Sequence, residues 1–319
     1  MIDYRHQPSH HERYDQEYAG LPVAHVLWEE EDGPHPEAGA AAWRLHASVW
    51  DDDVPSFIDE VLNWFFDHVD TTQVTAVVVG NWGECTDIDS QIVVQRLSAE
   101  AARLPALRSL FFGAIPPEEA EISWIQQSDL TMLLEAFPRL ERLEVRGGEG
   151  LALRPVRHES LRVLRIETGG LPSTVVRSVA VSDLPALELL ELWFGVNGYG
   201  GDATAADLAP IMSGDRLPAL HHLRLQNAEF QDDIAAAVAG APIVARLESL
   251  NLSMGVLTDT GAESLLSGQP LTHLRRLSLN HHFLSDALMT RLTDALPDVE
   301  LILTNQRKND EWRYVAVSE

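Results

Sequence analysis

Two pairs of adjacent histidines, His221-His222 and His281-His282, and a group of carboxylates at Glu84, Glu119 and Glu121 beside Trp82 and Trp124 have the most obvious capacity for chemistry. Imidazoles ligate metals and move protons near neutral pH. Carboxylates against an aromatic wall can divide into acid and base. Neither set develops into a catalytic pattern. Neighbours on a strand point to opposite faces, so each histidine pair offers one ligand at most to a given face, and no matching cysteine or acidic spacing accompanies them. With 49 Asp and Glu in 319 residues, a few carboxylates near one another follow from abundance. The Gly-x-Ser-x-Gly elbow, the Walker phosphate loop, His-Glu-x-x-His and the Rossmann fingerprint are missing. The expectation is a chain with no cofactor and no metal, and not an enzyme.

The formal charge of −26 opposes binding to nucleic acid or an anionic membrane, because phosphate binding rests on Lys and Arg. No run reaches the roughly 20 apolar residues that span a bilayer. Residues 1–20 lack the basic start and apolar stretch of a secretory signal. The single cysteine, Cys85, rules out an internal disulfide and suits a reducing cytosol, so the expected location is cytoplasmic.

What must position any functional residue is a repeat. Leu-Pro-x-Leu-x-x-Leu occurs at Leu104–Leu110, Leu184–Leu190 and Leu217–Leu223, with a Phe-led variant at Phe137–Leu143. Looser copies carry apolar residues at positions 1, 4 and 6: Val74, Val77, Val79; Leu161, Leu164, Ile166; Leu247, Leu250, Leu252; and Leu274, Leu277, Leu279. A terminal copy enters Leu301-Ile302-Leu303. First positions fall at 74, 107, 140, 161, 187, 220, 247, 274 and about 299. Positions 4 and 6 point inward from a short strand, and 3, 5 and 7 outward. One such strand cannot bury its face alone, so neighbours stack in parallel. The fold class is α/β: a leucine-rich-repeat solenoid, a right-handed horseshoe with about 9 parallel concave strands and convex helices.

Helices are expected over 87–103, 128–137, 173–181, 202–212, 232–239, 259–266 and 285–296, most opening on an Asp or Ser N-cap. The 21-residue interval from Leu140 to Leu161 leaves room only for an irregular connection. The expected organisation is a flexible 1–20, a cap over 21–73 with strands at 23–28 and 42–49 and a helix at 55–69, the array over 74–304, and 305–319. In the last segment a polar linker, 305–311, precedes an apolar stretch, Trp312–Val317, which should either dock over the last repeat or an edge strand or be a peptide offered to a partner.

Several phrases together resemble a family of bacterial, often actinobacterial, cytoplasmic leucine-rich-repeat proteins of unknown function with ribonuclease-inhibitor-like repeats. They are Val79-Gly80-Asn81-Trp82-Gly83-Glu84, Glu118–Trp124, Pro155-Val156-Arg157-His158, Tyr199–Thr204, Gly268–Leu274, His281-His282-Phe283-Leu284 and Trp312–Val317. The resemblance implies an accessory role in a modification pathway, beside ATP-grasp, radical-SAM and phosphatase-like enzymes. It carries over no catalytic residue.

Outward positions from the repeat at 107 onward hold five arginines, Arg142, Arg146, Arg165, Arg224 and Arg276, against Glu144, Glu167 and Glu191. Either these form a solvated cross-strand charge ladder, or they are an Arg-bearing strip for a carboxylate-rich protein or peptide. Exposed Trp and Arg are common interface anchors. The candidate partner-binding residues are therefore Trp82, Glu84, Phe111, Trp124, Arg146, Arg165, Glu167, Trp193, Tyr199, Arg224 and Asn280. The alternative is a small-molecule or enzymatic site among the loop residues Asn81, Trp82, Glu84, Glu121, Trp124 and Asp202.

Overall fold

The structure, a computed structural model, describes residues 16–26, 35–47, 57–308 and 312–319. The expectations for residues 1–15, and for the parts of the proposed strands, helix and linker at 27–28, 48–49, 55–56 and 309–311, lie outside these. The chain divides into two compact units, Met1–Ala152 with His158–Leu161, and Leu153–Arg157 with Arg162–Glu319.

The first unit holds β1 (Glu17–Tyr18), β2 (Leu21–His25), β3 (Ala42–Leu45), β4 (Ala76–Val79), β5 (Ser109–Phe112) and β6 (Arg142–Arg146). β1 and β2 form an antiparallel hairpin, and β2 through β6 pair in parallel in chain order. Register aligns Trp43, Val77, Leu110 and Leu143 in one inward row, and Leu45, Val79, Phe112 and Val145 in the next. All eight are buried. A π-helical turn, Phe57–Leu62, runs into α1 (Asn63–His68), and the returns after β4 and β5 carry α2 (Gln91–Ala99) and α3 (Thr131–Ala136). Residues 147–162 contain no helix, as the short interval requires.

The second unit holds β7 (Val163–Glu167), β8 (Leu189–Gly195), β9 (His222–Ala228), β10 (Ser249–Asn251), β11 (Arg276–Ser278) and β12 (Glu300–Ile302), parallel and in chain order. Helices α4 (Ser173–Val181), α5 (Ala209–Ser213), α6 (Gln231–Ala239), α7 (Asp259–Ser267) and α8 (Asp286–Ala295) alternate with these strands. The inward row Leu164, Leu190, Leu223, Leu250 and Leu277 is at most 1% exposed. Each such leucine is worth about 1.5–3 kcal/mol relative to exposure. Carboxylates fasten one return to the next: Asp232 Oδ1 accepts from the Thr258 and Gly261 amides at 2.7 and 3.1 Å, and Asp259 Oδ1 from the Ser285 amide at 2.8 Å. Asp232 and Asp259, expected as N-caps, lie inside α6 and α7, whose N-caps are Phe230 and Thr258, and their carboxylates instead tie successive repeats together.

All nine expected strands are present. Among the described residues β1–β3 precede them, and β2 and β3 lie in the same parallel register as the repeats although their sequences lack the leucine phrase. Residues 16–20, expected within a flexible terminus, form β1 and its turn.

Candidate functional site

The outward row of the second unit is a buried ionic network. Arg165, Glu191 and Arg224 stand opposite one another on β7, β8 and β9. Arg165 Nη2 lies 2.5 Å from Glu167 Oε1 and 3.3 Å from Glu191 Oε1; Arg224 Nη1 lies 2.9 Å from Glu191 Oε2. Trp193 Nε1 and Gln226 Nε2 donate to Glu191 Oε1 at 2.9 and 3.1 Å, and the Arg165 guanidinium sits 5.8 Å from the Trp193 ring centre. Burial would raise the Glu191 carboxyl, but Arg165, Arg224 and these hydrogen bonds outweigh it and hold the group below the ordinary carboxylate range.

This corrects the exposure expected of the strip. Arg165, Glu167 and Trp193 are at most 5% exposed, as are Phe111 and Arg146 in the first unit. Phe111 is covered by Tyr18, their ring centres 6.0 Å apart, in a cluster with Ala42, Ala76, Val78 and Ala114. Strand alternation gives the direction of these side chains; Tyr18 covers Phe111, while Arg165, Glu167 and Trp193 close on one another and on Glu191 in the ionic network. The cross-strand ladder is present through Arg165, Glu191 and Arg224 and is not solvated. Arg224 and Asn280 are half-buried.

The loops of the first unit are tied down in the same way. Trp82 is buried, stacked 5.8 Å from Phe112, and donates Nε1–H to the Ile88 carbonyl at 2.9 Å. Glu84 is exposed at φ 39°, and Trp124 is 52% exposed. Asn81 donates its amide N–H to His46 Nδ1 at 3.0 Å and its Nδ2–H to Glu119 Oε2 at 3.2 Å, while His46 Nε2 lies 3.2 Å from Glu119 Oε1. Burial would raise the Glu119 carboxyl, but His46, Asn81 and Arg44 pull it down. Both imidazole nitrogens of His46 are therefore engaged in holding the loop. Of the alternative loop set, Asp202 belongs to the second unit, where its carboxylate accepts from the Ser173 amide at 2.6 Å at the start of α4. That bond holds it below its ordinary value.

A third arrangement lies at the strand ends of the second unit. Asn227, within the last two residues of β9, and Met254, His281 and Asn305, beyond the ends of β10, β11 and β12, occupy the same register position, and all four have left-handed backbones, φ 60°, 72°, 56° and 57°. L-residues adopt that conformation at a cost of about 1–2 kcal/mol, which glycine avoids. The first unit places glycines, Gly113 and Gly147, directly after β5 and β6. Residues 314–319 lie across this ledge. His281 Nε2 meets the Tyr314 carbonyl at 3.0 Å; the Ala316 amide donates to the Met254 carbonyl at 2.7 Å. The Asn227 carboxamide takes both polar groups of Val317, donating to its carbonyl at 2.5 Å and accepting from its amide at 2.9 Å. Arg307 Nε donates to His281 Nδ1 at 3.2 Å, so the network assigns the imidazole hydrogen to Nε2. Tyr199 completes the row by donating its hydroxyl to the Glu319 carboxylate.

Glycines position Tyr199. Its turn, Asn197–Tyr199, packs where a Cβ on Gly195 would lie 1.8 Å from the Gly169 carbonyl, and one on Gly170 would lie 2.0 Å from the Tyr199 carbonyl.

No protein-family model matches the chain, and no curated protein does. A structural-genomics protein from Bacteroides fragilis is 29% identical, with a TM-score of 0.78 over 86% of this chain and 76% of its own. An internalin from Listeria monocytogenes is 15% identical, with a TM-score of 0.36 over 74% of this chain and 56% of its own. The leucine-rich-repeat fold rests on the chain's own geometry, in which the repeated leucine phrase lies on parallel strands that alternate with helices in chain order.

The sequence reading missed Asn227 and Met254 altogether and weighed His281 only as a metal ligand. The signal was present in the repeat: Leu-x-Leu-x is followed by Asn227, Met254, His281 and Asn305 in four successive copies. The apolar stretch docks, but not over the last repeat or an edge strand as expected: Tyr314–Val317 lie along the ends of β11, β10 and β9. Trp312 is 84% exposed, and Val315 is buried.

Proposed function

We propose that this chain is a non-catalytic protein-interaction module that takes an extended polypeptide segment on the strand-end ledge of its second unit. One observation carries the reading: the ledge already holds such a segment, residues 314–319, chiefly through main-chain groups. Main-chain recognition of an extended strand is a recurrent way to bind peptides, since affinity comes from the backbone and selectivity from a few side-chain contacts. The ledge residues carry left-handed backbones that glycine would adopt more easily, and two of their side chains bond the segment. Conformational cost at a binding position is common where the side chain has a task.

Tyr199 and Asn280 join Asn227, Met254 and His281 as residues of this face, whereas Arg224 belongs to the ionic network around Glu191; Glu84 and Trp124 offer a second exposed contact in the first unit. The partner is a protein or peptide, and the charge of −26 disfavours nucleic acid and anionic membrane. Among the described residues no helix is long and apolar enough to cross a membrane. We place the chain in the cytoplasm on its lone cysteine, and in a modification pathway on its family resemblance.

The test is a display library of random peptides panned on the full chain carrying Val315→Asp, to loosen the resident segment, with Val315→Asp/Asn227→Ala as the counter-selection. Enrichment of peptides that need Asn227 supports the reading; a library that yields none contradicts it.

A further inference from the structure

The tail on the ledge has a sequence, and its contacts say which parts of that sequence matter. An extended chain advances about 3.3 Å per residue, and parallel strands lie about 4.8 Å apart. Five residues therefore cover about 16 Å, close to the three strand spacings of about 14 Å from β11 back to β8. Consistent with that match, Tyr314 meets His281, Ala316 meets Met254, Val317 meets Asn227 and Glu319 meets Tyr199. The repeat spacing sets the frame in which a bound segment is read.

Within that frame three side chains are recognised. The Tyr314 ring packs edge-on against His281 and Phe283, with centres 5.5 and 6.0 Å away, and the Arg307 guanidinium lies 5.9 Å from its centre. Val315 alone among the tail side chains is fully buried, at 5% exposure. The Glu319 carboxylate accepts the Tyr199 hydroxyl. Tyr314 itself stays 52% exposed. A segment held by main-chain bonds and one buried valine is a strap over the strand ends, and little ties the ledge to this segment alone.

Resting on the interaction-module reading, we propose that the ledge selects an extended segment of a partner protein with the order aromatic, β-branched, small, β-branched, any residue, carboxylate. The chain's own residues 314–319 are a resident competitor for it. The left-handed Asn227 and His281 read the partner's main chain, His281, Phe283 and Arg307 receive its aromatic ring, the buried place that Val315 holds takes its β-branched residue, and Tyr199 selects an acidic residue five places after the aromatic one.

The experiment uses the full chain and a fluorescein-labelled peptide of residues 312–319, Trp-Arg-Tyr-Val-Ala-Val-Ser-Glu, followed by anisotropy. Val315→Asp in the protein should raise affinity for the peptide at least tenfold over wild type, by emptying the ledge. Adding Asn227→Gly should remove that gain while keeping the left-handed backbone. A peptide with Asp at its own valine-4 position should not bind, and one ending in Lys should bind at least fivefold more weakly. If Val315→Asp does not fold, Val315→Ser takes its place. Equal binding by wild type and the loosened variant would overturn the competition. Indifference to the Lys ending would overturn the proposed sequence order while leaving the module reading intact if library peptides still need Asn227. A wild-type dimer that exchanges tails, with no peptide binding by the loosened variant, would assign the ledge to a second copy and overturn a foreign partner.

Discussion

The carboxamide of Asn227 pairs with both main-chain groups of Val317, 90 residues further along, as a neighbouring strand would. The residue that makes this pair sits at φ 60° in a register position shared with Met254, His281 and Asn305. The repeat therefore does two jobs in the second unit: its leucines close the core, and at the ends of β9, β10 and β11 Asn227, Met254 and His281 hold residues 314–317.

Asn227→Gly should separate those jobs. Glycine keeps the left-handed turn without strain but loses two hydrogen bonds, each worth about 0.5–1.5 kcal/mol. Limited proteolysis should cut near residues 312–319 much faster than in wild type, while the global melting temperature falls by only a few degrees. A large drop in melting temperature would mean that the segment is part of the cooperative core.

Glu191→Gln should be severe. Glu191 is buried with Arg165 and Arg224 on either side, and removing one charge from a buried network costs about 3–5 kcal/mol because the remaining charges lose compensation. Urea unfolding would read this as a lower midpoint at an unchanged slope. A loss under 1 kcal/mol would contradict the network's role.

How far the sequence foretold this is visible in particular residues. Leu223, Leu250 and Leu277 announced the strands because an inward row must be apolar at fixed spacing. Arg165 and Trp193 were correctly turned outward by alternation, yet their burial was not legible. Alternation gives direction only; Phe111 shows how cover arises, through Tyr18 from an unrelated stretch of chain. The ledge was half legible. Its register repeats in the sequence, but its pairing with residues 314–319 uses main-chain atoms, which leave no pattern of residue types.

Stability should fall on mild acidification. Burial, with Arg307 nearby, holds His281 below the ordinary imidazole value of 6.5, and burial takes His222 to about 4. The folded chain therefore binds fewer protons than the unfolded chain between those values. The stability tied to the neutral rings is complete above pH 6.5 and is lost as pH drops from there toward 4. Urea midpoints at pH 7.5 and 5.0 would measure it, with the lower midpoint expected at pH 5.0. His281 should contribute through the tail, since a proton on Nδ1 would face the Arg307 donor.

Cys85 should be inert in the folded chain. Burial pushes its thiol up to about 12, so almost no thiolate is present at neutral pH. A thiol reagent such as DTNB should react on the timescale of unfolding and at once in denaturant. Rapid labelling of the native protein would contradict the packing around Cys85.

The claim that the ledge holds an extended segment through its main chain is tested most directly by hydrogen–deuterium exchange over residues 312–319 in the wild-type chain. The Ala316 and Val317 amides should exchange at least tenfold more slowly than in an unstructured peptide of the same sequence. Asn227→Gly, or an excess of the 312–319 peptide, should return them to the unstructured rate. Exchange at the unstructured rate in the wild type, with nothing added, would contradict the account.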